Sequence, residues 1–439
     1  MYKKSIFWFR QDLRTYDNVW LYNAVKNSEK LLVIFILDKN IIDDFLWLND
    51  KKFWFIREAL ERLDSEIKSL WWEGLKVFYD KPEILIPELT KKYNINAVFT
   101  NRSYWNYWKK RDESIKNTLS KSNIEFLSYK DYLLVEPWEV EQRKVFTPFY
   151  KLWQKVDFDT NEYKITDKID SIKIEENNEA KDYISIEKHP YFTMDFWVKR
   201  LEKYITNDYD LYRNDLDKDW TSKLSPYLRF WIFSVRQIYN LAKNINQHFV
   251  SEMAWREFWQ HIDYYFPETK KIEFQENKRH IKWRHDEYLF EKWCNWETWY
   301  PVVDAAMKQL VETNWMHWRA RMIVSSFLTK DLLIDWRWWE NFFKKHLLDY
   351  DENVNYWNWQ WWASVWADPK PLRIFNPVLQ SQKFDSQAKF IKKYIPELIN
   401  QNTKAIHDPI DNELDYTRII VNHKEAQRET RLVYKWEKD

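Results

Sequence analysis

Few segments of this chain combine residue types and spacings that could do chemistry. Thr221-Ser222-Lys223-Leu224-Ser225 places three hydroxyls and a run of backbone N–H groups ahead of Pro226-Tyr227-Leu228, where a helix is expected to open. A helix start of that make-up is a ready anion site, although Ser and Thr there also serve as ordinary caps. Asp349-Tyr350-Asp351 holds two carboxylates at a spacing that equally suits a turn. Arg319 and Arg321 read either as a solvated face or as a phosphate clamp. The nine His show no HExxH-like ligand pattern, so no metal is expected.

The elements that must position these residues fall into two kinds. Ser5–Phe9, Leu31–Leu37, Leu75–Tyr79 and Ala97–Thr100 are short runs rich in Ile, Val and Phe, which reads as buried strands. Between them Phe53, Ile56, Leu60, Leu63, Ile67 and Leu70 share one helical face. This alternation predicts an α/β N-terminal domain with a parallel, doubly wound sheet over residues 1–130. Asp, Glu, Lys and Asn dominate residues 157–189, a solvated stretch inside a connector placed at 131–195. Residues 196–439 read as all-α. There Pro301 opens a helix lined by Val303, Ala306, Met307, Leu310 and Val311, and Met322–Trp336 reads as a single interior helix.

Composition narrows the class. A net charge of +1 argues against a globally basic nucleic-acid coat but leaves room for a local basic groove. Cys294 is the single cysteine, so no internal disulfide forms, and a reducing compartment fits. The N-terminus lacks the apolar stretch of a secretory signal, and Leu31–Leu37 is too short to span a bilayer. A cytoplasmic protein with no membrane partner is expected. One feature is abnormal: there is one Gly (Gly74) and there are 30 Trp, whereas ordinary usage gives roughly 31 glycines. Trp also occupies turn-like places, as in Asn-Trp-Glu-Thr-Trp-Tyr-Pro at 295–301. We read this as a genetic code in which UGA means glycine, rendered here as tryptophan. The alternative is a Trp-rich sugar or single-strand binder with stacking platforms.

Taken together, the segments carry a resemblance. Phe7-Trp8-Phe9-Arg10-Gln11-Asp12-Leu13-Arg14 with Asp17-Asn18, Thr221–Leu228, Trp255-Arg256-Glu257-Phe258, Tyr300–Met307, Lys330–Trp338 and Arg373-Ile374-Phe375-Asn376-Pro377 stand in the order found in the photolyase/cryptochrome superfamily. The chain most resembles a class I cyclobutane pyrimidine dimer photolyase, from Ser5 to Val421–Ala426. Trp220, Trp231, Trp296, Trp299, Trp339 and Trp357 occupy places where the family's motifs carry glycine.

The resemblance implies flavin adenine dinucleotide in the helical domain, held by Tyr209, Thr221, Ser222, Lys223, Leu224 and Ser225 at its phosphates and adenosine. Asp349, paired with Arg321, and Asp351 would flank the ribityl chain, and Asn355 would face the ring at N5. Trp359, Trp336 and Trp283 fall at the spacings of the family's electron relay. It also implies UV-damaged DNA as partner. Glu252 would hydrogen-bond a flipped dimer between Trp255 and Trp361, with Met322 where other members carry a catalytic histidine, and Arg213, Arg256, Arg319 and Gln380 would contact DNA. Trp318 departs from a Met-His-Asn-Arg run. A second, antenna chromophore could be a folate, a deazaflavin or a flavin, or be absent, because the folate-associated Glu has no counterpart near Trp108–Asp112. A monomer is expected. The alternative is a cryptochrome, the same flavin and relay used for light sensing.

Overall fold

Six strands form one sheet: β1 Tyr2–Phe9, β2 Ser28–Asp38, β3 Lys76–Asp80, β4 Ala97–Asn101, β5 Glu125–Tyr129 and the short β6 Asp170–Ser171. The order is β3-β2-β1-β4-β5, with β6 beside the start of β2, and every pair is parallel. This computed structural model describes residues 1–42, 51–70, 73–174, 188–194, 200, 203, 209–367, 372–412, 414 and 419–435. The chain divides into two units: Met1–Gln142 with Tyr150–Ile205 and Lys223–Tyr264, and Arg143–Phe149 with Thr206–Ser222 and Tyr265–Asp439.

In the first unit the four apolar runs read from the sequence lie in β1 to β4. Ile6 pairs with Leu32 on one side and Val98 on the other, and all three are buried. Helices Val19–Asn27, Lys51–Leu70, Pro82–Tyr93 and Asn106–Ser120 connect the strands, the doubly wound arrangement expected. In helix Lys51–Leu70, Phe53, Leu60, Leu63 and Ile67 are buried as expected, whereas Ile56 and Leu70 sit at the stripe's margin. Phe55 is buried instead, against the rings of Tyr227 and Phe230 at 5.3 and 5.5 Å.

Beyond the strands this unit is fastened by buried charge. Arg14 pairs with Asp131, while Arg236 reaches Asp131 Oδ1 at 2.8 Å and Asp17 Oδ2 at 3.0 Å. Of the polar stretch 157–189, residues 175–187 lie outside the described residues, and most of 157–174 is irregular and solvent-facing.

The second unit is built on Pro301–Thr313, Trp318–Ser326, Trp336–His346, Glu352–Trp362, Pro377–Phe384 and His423–Val433, with shorter helices between. Their apolar faces meet in one cluster that includes Val303, Ala306, Met307, Leu310, Ile323, Phe327, Trp336 and Trp359. Met322–Trp336 is interior throughout, as expected, yet it is not one helix. Helix Trp318–Ser326 passes into a π-helical turn, Phe327–Asp331. Leu333 then takes φ 54° and Asp335 caps a new helix by accepting from Arg337 N. Apolar periodicity cannot see such a break, because both pieces are buried. Among the described residues no helix is long and apolar enough to cross a membrane.

Backbone with φ > 0 occurs at Asp17, Asn94, Asn123 and Asn314, types that tolerate it, and at Lys223, Leu333, Ser364 and Ala388. It occurs also at Trp231 (44°), Trp296 (53°) and Trp299 (65°).

Candidate active site

Helix Glu352–Trp362 organises the centre of the second unit. Asp351 caps it, its carboxylate accepting from Val354 N at 3.1 Å. Asn355 and Trp359 lie one turn apart on its buried side, so Trp359 Nε1 donates to Asn355 Oδ1 at 3.2 Å. That bond fixes the amide and leaves Asn355 Nδ2 buried without a protein partner. Two residues before the cap, Asp349 Oδ2 receives Arg321 Nη2 at 2.7 Å, while Oδ1 is likewise buried and unmatched. Buried polar atoms of this kind call for a ligand or water.

The three tryptophans expected to form a relay differ in burial. Trp359 and Trp336 are fully buried and Trp283 is half-buried. Trp283 Nε1 donates to Glu273 Oε1 at 2.9 Å, and Trp336 Nε1 points to the same oxygen at 3.4 Å.

Of the residues expected to contact DNA, Arg213 and Arg319 of this unit flank Trp318. Its Nε1 donates to the carbonyl of Arg213 at 2.9 Å, and the guanidinium groups of Arg213 and Arg319 lie 4.6 and 4.2 Å from its ring. Burial, with Arg213 adding repulsion, lowers the Arg319 pKa to about 10. Tyr209 is buried, with Arg213 over its ring at 5.4 Å. Gln380 Oε1 is buried without a partner. A cavity of about 340 Å³ is lined by Met322, Trp361, Lys330 and Arg373 among others. Lys330 donates to the carbonyls of Trp362 and Arg373, and burial pulls its ammonium down to about 7.

In the loop, Thr221 and Leu224 are buried, Ser222 and Lys223 half-buried and Ser225 exposed, with Lys223 left-handed at φ 50°. The following helix, Ser225–Arg229, has only five residues.

The first unit carries Glu252, Trp255 and Arg256 on helix Gln247–Tyr265. Glu252 is partly exposed beside His248 at 3.3 Å. Trp255 leans on Phe258 and Trp259, and the Arg256 guanidinium covers the Tyr132 ring at 3.8 Å. Sequence reasoning passed over the next residue. The Glu257 carboxylate accepts from Leu134 N, Val135 N and Trp153 Nε1, fixing this helix to segment 131–135. Burial raises its pKa. Glu273 was missed as well. A lone Glu in an amphipathic segment carries no pattern that separates a buried acceptor from a solvated charge.

The donor set fits a flavin. The free amide of Asn355 and the free oxygen of Asp349 are a donor and an acceptor held inside the helical unit, which suits a group with both functions along one edge.

Known proteins agree with this reading. Residues 5–166 match the family model described as DNA photolyase, and residues 249–435 match that of the FAD binding domain of DNA photolyase. A deoxyribodipyrimidine photo-lyase of Synechococcus sp. is 34% identical over 98% of this chain and 96% of its own. The crystal structure of an archaeal photolyase from Sulfolobus tokodaii, which holds two FAD molecules, superposes with a TM-score of 0.90 at 30% identity over 98% of this chain and 99% of its own. A Synechocystis sp. cryptochrome superposes with a TM-score of 0.87 at 25% identity, covering 98% and 99%. The chain belongs to the DNA photolyase family.

Proposed function

We propose that the chain is a light-driven deoxyribodipyrimidine photo-lyase that splits cyclobutane pyrimidine dimers in UV-damaged DNA, acting as a cytoplasmic monomer. The observation that carries this reading is Asn355, whose buried amide is uncommitted at the inner end of the tryptophan series Trp359, Trp336 and Trp283.

FAD, when bound and reduced, supplies the light-driven electron. The chain's residues do the rest. Asp349, locked by Arg321, and Asp351 would orient the ribityl side, Asn355 Nδ2 would be free to donate to the ring, and Tyr209 with Thr221–Ser225 would hold the phosphates and adenosine. Glu252 hydrogen-bonds the flipped dimer, and Trp255 and Trp361 replace the stacking the dimer loses on leaving the helix. Met322 lines the pocket without a proton to give, which suits a ring opening that needs no acid. Arg213, Arg256 and Arg319 supply the salt-dependent phosphate attraction, and Gln380 a neutral contact. Trp359, Trp336 and Trp283 would pass an electron inward from the surface to re-reduce a bound flavin. An antenna chromophore, if the chain carries one, would be a folate, a deazaflavin or a flavin in the N-terminal domain at residues 1–130, ahead of the connector at 131–195 and the flavin-binding domain at 196–439.

The test is loss of cyclobutane dimers from UV-treated DNA by the flavin-loaded, reduced protein under blue light and in the dark. Repair only in the light, abolished in Glu252→Ala, supports the reading. Flavin binding and photoreduction with no repair would replace it with a cryptochrome-type photoreceptor.

A further inference from the structure

We propose that Glu273 is a positioning residue for the electron relay: it holds the Trp283 and Trp336 indoles on one carboxylate oxygen and accepts the proton that an oxidised Trp283 releases. This rests on the relay assigned above. Glu273 is buried, and its Oε1 takes three donors: Trp283 Nε1 at 2.9 Å, Trp336 Nε1 at 3.4 Å and Arg337 Nη2 at 2.7 Å. Indole is a donor only, so a neutral tryptophan gains one ordinary hydrogen bond here. An indole that has lost an electron carries a positive charge, and a carboxylate at hydrogen-bond distance in a buried setting then stabilises it strongly. The shorter bond goes to Trp283, so the charge is held best on the outer, half-buried member and is drawn away from Trp336.

The step balances as follows. One electron leaves Trp283 inward through Trp336 and Trp359 to a photoexcited flavin, the one-electron oxidant. The Trp283 Nε1 proton passes to Glu273 Oε1, leaving a neutral indolyl radical and a carboxylic acid. Return of the electron is then blocked until the proton comes back, which lengthens the life of the separated charges. The Arg337 guanidinium opposes the transfer and sets its rate.

Flash photolysis of the flavin-loaded, oxidised protein tests this through the spectra of the cationic and neutral tryptophan radicals. In Glu273→Gln, which keeps an acceptor and loses the charge, conversion of the cationic to the neutral radical is expected to slow about tenfold or more. Arg337→Gln is expected to speed it, and provides the test if Glu273→Gln does not fold. Unchanged spectra and lifetimes in either folded variant, or no tryptophan radical in the parent, overturn the proposal. Dimer repair by the chemically reduced protein does not use the relay, so its absence in the parent overturns the photo-lyase reading and leaves the radical measurement standing.

A separate observation carries a second proposal: we infer that the chain made in its own cell has glycine where Trp231, Trp296, Trp299 and Trp339 stand. Trp231 N and Ile232 N donate back to the carbonyls of Leu228 and Tyr227, at 3.3 and 2.9 Å. Trp296 N and Glu297 N do the same to Trp293 and Lys292, at 3.3 and 2.8 Å. Each is the paired bond of a helix end whose left-handed residue is usually glycine, and each left-handed residue here is the tryptophan. Trp299 is left-handed too, in a turn where Thr298 N and Trp299 N both donate to the Asp304 carboxylate at 3.0 Å. Trp339 is jammed, its ring 3.6 Å from that of Trp359 and 4.2 Å from those of Trp293 and Phe343, below the usual 4.5–7 Å. The indoles of Trp231 and Trp339 are buried without a partner, while those of Trp283, Trp336 and Trp359 all donate.

Peptide mapping by tandem mass spectrometry of the protein from its natural source decides it. Glycine at the four positions, with tryptophan at Trp283, Trp336 and Trp359, is expected. Tryptophan at 231 and 296 overturns the inference.

Discussion

Arg14 Nη1 donates a 2.8 Å hydrogen bond to the carbonyl of Trp231, 217 residues further along the chain. The same guanidinium pairs with Asp131, whose other oxygen takes Arg236. Removing Arg14 leaves a buried carbonyl unmatched and Asp131 with one buried guanidinium in place of two. Arg14→Ala should cost about 3–5 kcal/mol, the range for breaking a buried ion pair from one side. Urea unfolding of the full chain would show it as a lower midpoint, and a change under about 1 kcal/mol would mean that the network is solvated.

Trp296 is half-buried and left-handed at a helix end, a backbone state that glycine adopts without the strain an L side chain carries. Trp296→Gly should therefore stabilise the chain by about 1 kcal/mol. Trp296→Ala keeps the left-handed strain and should give no such gain. Thermal melts of the two variants side by side separate the backbone effect from loss of the ring.

Burial pushes the carboxyls of Asp331 and Asp385 up to about 6. The folded chain thus holds these protons more tightly than the unfolded one, where Asp titrates near about 3.9. Their contribution to stability is full below about pH 4 and is lost as pH rises through 6, of order 3 kcal/mol per group. Asp385 accepts from Phe390 N and Ile391 N at 3.0 Å, contacts an amide oxygen can partly keep. Unfolding free energies of Asp385→Asn should follow pH less steeply than those of the parent between pH 4 and 6. Parallel curves would show that Asp385 does not titrate in that window.

Replacing Trp336 or Trp283 by Phe removes an oxidisable ring while keeping an apolar one. Light-driven reduction of the flavin should then nearly stop, although dimer repair by chemically reduced protein continues. Loss of both activities would instead indicate damage to the flavin pocket.

The sheet was readable because buried parallel strands are written as continuous apolar runs, as in Leu31–Leu37. β5 escaped because Glu125-Phe126-Leu127-Ser128-Tyr129 is an edge strand, only partly covered, with no such run. The split between Ser326 and Trp336 escaped for the opposite reason: buried on all sides, its residues keep one apolar signal through a change of helix type. The family resemblance implied Asp349 beside Arg321, and the two are 2.7 Å apart. Glu257 and Glu273 were invisible because their meaning lies in who donates to them, and those donors stand as far as 123 residues away.

The first unit takes its last segment, residues 223–264, from well beyond the sheet. A ribosome that has released only the six strands has produced Asp17 and Asp131 without Arg236, and segment 131–135 without Glu257. The nascent sheet must wait, with Asp131 held by Arg14 alone and Asp17 lacking Arg236, until residues 236 and 257 have left the exit tunnel. A fragment cut after the strands would therefore lack the contacts that Arg236 and Glu257 make to it and is not expected to hold as a free-standing domain.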